Sequence, residues 1–306
     1  QKETKDKESQ RWLEGLERTQ EVLPEEMTVV TVADCEADIY DFLAMPRNGN
    51  SELLIRAYHN RCVKTDDSVS KLKSAIASSP KMGEICLELQ RNPERKPRQA
   101  RLSLRTMSVE LQPPKTHINY DNLKPIQLQV ILAVEENPPV GEKPVSWLLL
   151  TTIVVNDFDD VIQCLRWYSY RWLIERYHYV LKSGCRLEQL QLETADRIER
   201  ALETYTIVAW RLLWLTYEAR YNPDAPAETI LETIEWQALY CTVNKTETLP
   251  ESPPTIKTCI IWIAKLGGFL CRKRDGFPGV KTIWQGLRRL HDIVQGWQLA
   301  DATRLV

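Results

Sequence analysis

Apolar and polar positions change rhythm three times along this chain. Residues 8–22 place Trp12, Leu13, Leu16 and Val22 on one side of a charged segment, which predicts an amphipathic helix. The next run, MTVVTVAD at 27–34, is continuously β-branched and apolar, the pattern of a strand buried on both faces of a parallel sheet. EADIYDFLA then predicts a second helix, so the opening has the parts of an α/β layer. From Ser51 to Thr152 the rhythm becomes period two. ELLIRAY, MGEICLELQ, ARLSLRTMSVELQ, PIQLQVILAVEE and VSWLLLTTIV predict strands, separated by connectors such as RNPERKPRQ and ENPPVGEKP. One predicted helix, 67–78, interrupts the series, and the whole stretch reads as a β-rich insertion that does not continue the parallel sheet. Beyond Asp157 the period is helical, with helices predicted at 158–183, 194–221, 226–239, 255–272 and 279–299.

Composition narrows the picture. The chain has 306 residues, 43% hydrophobic with ten Trp, enough for a real core in one large or two ordinary domains. A net charge of −2 supplies no global field for nucleic acid, so such contact must come from local basic patches. The eight Cys contain no CxxC pair, which argues against a zinc site and for free thiols in a reducing compartment. No apolar run has the length of a membrane span, and no signal peptide is expected. The start on Gln1 inside a charged helix suggests an interior segment of a longer protein.

Three places carry candidate chemistry. Tyr168, Arg171, Glu175 and Lys182, taken as one helix, fall in a sector about 60° wide. A carboxylate among a phenol, a guanidinium and an ammonium suits a phosphodiester, with the carboxylate holding a divalent cation and the others gripping phosphate oxygens. The same residues also make an ordinary i,i+4 pair on a solvated face. Asp34 ends the β-branched run, where open α/β sheets place ligands, but Asp there also caps a following helix. Residues 91–105 hold six Arg and Lys against Glu94 alone, a candidate phosphate contact or a solvated loop.

The order of these features resembles the DDE cut-and-paste transposases of the insertion-sequence-four family, in the Tn5-like subgroup. The spacing Y-(2)-R-(3)-E-(6)-K is matched at Tyr168, Arg171, Glu175 and Lys182. DCEADIY (34–40) is similar to the family's D-x-E-A-D-I motif, and WIAKLGGF (262–269) to its C-terminal helix. WLLLT (147–151) sets Trp147 21 residues before Tyr168, as for the family's base-stacking Trp. A lone Trp in a strand is otherwise more often core.

The resemblance implies an α/β, RNase H-like catalytic core with a β-rich insertion and a C-terminal helical region. Its expected parts are a partial core at 1–46, the insertion at 47–157, core helices at 158–222 and a dimerisation region at 223–306. It implies that Asp34 and Glu175 are catalytic and hold two Mg²⁺ or Mn²⁺ ions. Tyr168, Arg171, Lys182, Trp147, Arg56 and Arg61 would contact DNA. The implied partners are double-stranded DNA, as transposon ends and target, and a second copy, with no membrane; the implied setting is the bacterial cytoplasm at the nucleoid. The family's first catalytic Asp lies on a strand upstream of the helix that opens this chain, so the core is expected to lack its first strands. Asp38 and Asp41 are poorly placed to substitute, and the chain alone is expected to be inactive. A truncated copy that dimerises with and inhibits a full-length partner, or an inactive remnant, are the alternatives.

Overall fold

The structure is a computed structural model that describes residues 9–24, 26–65, 68–89, 97–185, 187–272 and 274–304. The chain divides into two compact units, Gln1–Arg171 and Trp172–Val306, each with its own core.

The first unit is built on one sheet. β1 (Val29–Ala33) runs parallel to β2 (Ser51–Arg56). The order continues β2–β8–β7–β6–β3–β4, all antiparallel, with β5 also on β6. These strands are β3 (Cys62–Lys64), β4 (Val69–Lys71), β5 (Lys81–Leu89), β6 (Arg98–Leu111), β7 (Ile126–Val134) and β8 (Ser146–Thr151). The expectation that the β-rich stretch from Ser51 does not continue the parallel sheet is therefore corrected. β2 extends the parallel pairing of β1, and the later strands join the same sheet through β8. β1 is also less covered than its composition suggests: among the described residues it has one neighbour, and only Ala33 is buried.

Alternation along the strands makes two cores, one on each face of the sheet. Leu53, Ile55, Leu148 and Leu150 face α1 (Gln10–Val22), α2 (Tyr40–Ala44) and α3 (Leu72–Ser78). Leu54, Ile131 and Leu149 face α4 (Phe158–Ser169). Asp157 starts α4 by accepting from the backbone N–H of Asp160 at 2.9 Å. The helix predicted at 67–78 shortens to α3 because β4 takes the residues before it; Asp67 lies outside the described residues.

The second unit is helical. α5 (Trp172–Tyr179) runs into a π-helical turn, Val180–Gly184. α6 (Ala195–Tyr221) follows, started by the Thr194 side chain, then α7 (Thr233–Asn244), α8 (Ile256–Leu266) and α9 (Val280–Arg304). Leu212, Leu215, Leu239, Ile260, Ile263 and Ile283 form its centre. Gly267 and Gly286 let α8 and α9 cross with their backbones in contact. A Cβ on Gly286 would overlap the carbonyl of Ile263, and one on Gly267 the carbonyl of Thr282. That contact gives a physical reason for Gly267, the first glycine in WIAKLGGF. No helix among the described residues is long and apolar enough to cross a membrane.

Candidate active site

β1 and β2 end together, and the chain turns sharply after each. Asp34 leaves β1 in extended backbone, and its Oδ1 accepts from the Glu36 N–H at 3.0 Å, starting a short 3-10 turn at Cys35–Ala37. Its Oδ2 lies 3.7 Å from Nη1 of Arg171, with the Asp34 side chain 38% exposed and that of Arg171 23%. The capping and ligand readings of Asp34 therefore coexist: one oxygen holds the turn, and the other faces a cation from the end of α4.

Three further residues expected at the site lie on β2, β8 and α4. Arg56 ends β2, cross-strand from Leu149, and its Nη2 donates to the Ser146 carbonyl at 3.2 Å. Trp147 on β8 is half-buried and meets the ring of Tyr168 edge-on, with centroids 5.6 Å apart. Tyr168 itself is buried in the core under α4. Trp147 is thus a partly covered member of the core edge, with the Tyr168 ring holding it.

The four-residue stripe does not survive as one helix. α4 ends at Ser169, Tyr170 and Arg171 form a turn, and α5 begins at Trp172. The step of 100° per residue holds only along an unbroken α-helix, and the π-helical turn alters the phase again. Glu175 lies exposed on α5. Lys182 lies on the π-helical turn, its Nζ 3.8 Å from Glu188 Oε1 with both side chains well exposed.

Arg61 has a different partner from the one expected. Its Nε and Nη2 donate to Oδ1 of Asp38 at 2.9 and 2.8 Å, and Nη2 also to the Asp38 carbonyl at 2.6 Å. The N–H groups of Tyr58 and His59 donate to Oδ2, each at 2.8 Å. The Asp38 side chain is 0% exposed and that of Arg61 11%, so this pair ties the end of α2's approach to the loop after β2. A carboxylate filled by four donors has no oxygen to offer a metal. Asp41 is likewise engaged, with His117 Nε2 at 3.0 Å. Sequence reasoning named Asp38 without its role; the signal was a carboxylate next to apolar Ala37 and Ile39, where a full set of donors is required.

The basic run at 91–105 also changes meaning. Arg98 bonds Glu135, Arg101 lies 3.6 Å from Glu84, and Arg105 lies 3.5 Å from Glu136. Arg91, Arg95 and Lys96 lie outside the described residues. Among the described residues, no group of three His, Cys, Asp or Glu side chains is arranged to hold a metal ion.

Two family models match the chain. Residues 12–211 match one described as the transposase DDE domain, a span holding Asp34, Trp147, Tyr168, Arg171, Glu175 and Lys182. Residues 207–304 match one described as the transposase Tn5 dimerisation domain, which takes in most of α6 and all of α7, α8 and α9. The DDE match covers well over half of the chain and carries the RNase H-like fold with it, so the chain belongs to the DDE transposases of the Tn5 type.

Proposed function

We propose that the chain is the catalytic and C-terminal part of a YREK-type transposase that cleaves DNA at transposon ends and joins them to a target. The observation that supports this most directly is Asp34 at the carboxyl end of a parallel strand pair, facing Arg171. Asp34 and Glu175 are the residues that would hold Mg²⁺ or Mn²⁺. Their oxygens are hard donors of the kind these cations prefer, and Asp34 keeps an oxygen not used in a short hydrogen bond. Such ions supply Lewis-acid activation of a water or 3′-hydroxyl and neutralise charge at the leaving oxygen.

The chain's other residues bind and orient. Arg171 and Lys182 grip non-bridging oxygens next to the scissile phosphate, and Arg56 adds a positive charge at the end of β2. Trp147 stacks on an unpaired base. Tyr168, buried beneath it, positions that ring. Arg61 holds Asp38 and is left out of the DNA contacts. In this family three carboxylates complete the site.

The test follows nicking, by the purified protein, of a plasmid bearing the element's ends. Metal-dependent nicking is expected, and Asp34→Asn or Glu175→Gln should each reduce it to background while DNA binding stays within a few-fold. Cleavage retained by either variant removes that residue from the site.

The match to a dimerisation domain favours a second reading beside the first. Two copies of this chain, or one copy and a full-length relative, associate through the C-terminal helices. Mixed-tag co-purification from one culture tests this, and a strictly monomeric product contradicts it.

A further inference from the structure

α9 presents a basic stripe to a cavity of about 320 Å³ in the second unit. Lys281, Trp284, Gln285 and Arg288 line one wall, and Tyr205 of α6 and the backbone of Gly184 and Cys185 line the other. Spacings of three and four residues put these side chains of α9 on one face. Lys281 and Arg288 are two turns apart, about 10 Å along the axis, which is the rise of about three nucleotides on one strand of B-form DNA.

The charge here is less compensated than at several arginines elsewhere in the chain. Arg61, Arg98, Arg101, Arg105 and Arg211 each sit beside a carboxylate. Lys281 and Arg288 are exposed, and among the described residues neither has an ion-pair partner and no carboxylate lines the cavity. An adjoining cavity of about 280 Å³ shares Trp284 and Arg288, and there the acids Glu235 and Asp292 appear. Arg288 therefore borders both the acid-free cavity and the one that carries Glu235 and Asp292. The cavity also continues into the π-helical turn that carries Lys182, since Gly184 of that turn lies against Val280 of α9.

Two exposed cations flanking a half-buried indole suit a strand of phosphates with apolar sugar or base edges between them. We propose that the Lys281–Arg288 stripe of α9 is a sequence-independent contact for a DNA backbone, extending the grip of Lys182 beyond the scissile phosphate. This rests on the transposase reading for the identity of the polyanion. The contact is electrostatic, so it is read through counterion release.

The experiment is fluorescence anisotropy of the whole chain with a labelled random-sequence duplex, without divalent cation, over a series of salt concentrations. The Lys281→Ala/Arg288→Ala double variant is expected to bind more weakly and to show a salt slope shallower by about two. The charge-preserving Lys281→Arg/Arg288→Lys variant should keep the parent slope. A double alanine variant with the parent's affinity and slope overturns the stripe and leaves the transposase reading intact. A parent chain with no affinity for duplex overturns both.

Discussion

Asp34 and Asp38 stand four residues apart and do opposite work. Asp38 is enclosed, with every near donor aimed at it, so removing it strands the Arg61 guanidinium and two N–H groups. Asp38→Ala is expected to cost about 3–5 kcal/mol, as for other broken buried pairs. Asp34→Ala loses the cap of a short turn and a partly exposed ion pair with Arg171, and should cost about 1 kcal/mol. Denaturant titration of the two variants checks the contrast; equal losses would mean that Asp34 too is structural. Burial also sets the thiols. It pushes Cys164 and Cys185 up to about 11 and Cys259 up to about 12. The folded state therefore holds these protons more tightly than the unfolded state. That stability is complete below about pH 9, the ordinary thiol value, and is lost as pH rises toward 11 and 12. Melting temperature across that window should fall, and less steeply when Cys259 is replaced by Ala in a chain that still folds.

At the scale of elements, the closest backbone approach in the second unit is the α8–α9 crossing. Gly286→Ala forces a methyl into the Ile263 carbonyl and should cost about 1–3 kcal/mol or more. Gly296→Ala, in the same helix with open space around it, should cost nothing or add stability. Chemical denaturation of both variants separates close approach from helix propensity. The same elements tell what the sequence could disclose. Thr194 and Thr255 announced the starts of α6 and α8, since their hydroxyls accept from backbone N–H groups three residues on. The long strands were legible from alternation. β3 and β4 were not, because three residues carry too little pattern to be recognised. The turn at Tyr170 and Arg171 has neither Pro nor Gly to mark it, so 158–183 read as one helix. β1 misled differently: β-branched composition reports strand preference, while coverage depends on neighbours. The candidate site was legible as residue types at a spacing. Its partners were not, since Asp34 and Arg171, or Arg105 and Glu136, meet only through the fold.

Across the whole molecule, two compact units that share no core imply two cooperative units. Asp38→Ala should lower the unfolding transition of the first unit and Gly286→Ala that of the second, with additive effects in the double variant. Calorimetry decides this, and a single transition moved by both would mean that the units unfold as one. A net charge of −2 supplies no global attraction for DNA, so the proposed contacts at Arg171, Lys182 and the α9 stripe have to act as local charges. The central claim is that Asp34 and Glu175 hold divalent cations. The most direct measurement loads the chain with Fe²⁺ and ascorbate and maps where hydroxyl radicals cut the polypeptide. Cuts are expected beside Asp34 and beside Glu175, suppressed by excess Mg²⁺ and lost in Asp34→Ala and Glu175→Ala. Cutting confined to other segments, or unchanged in both variants, would contradict the account.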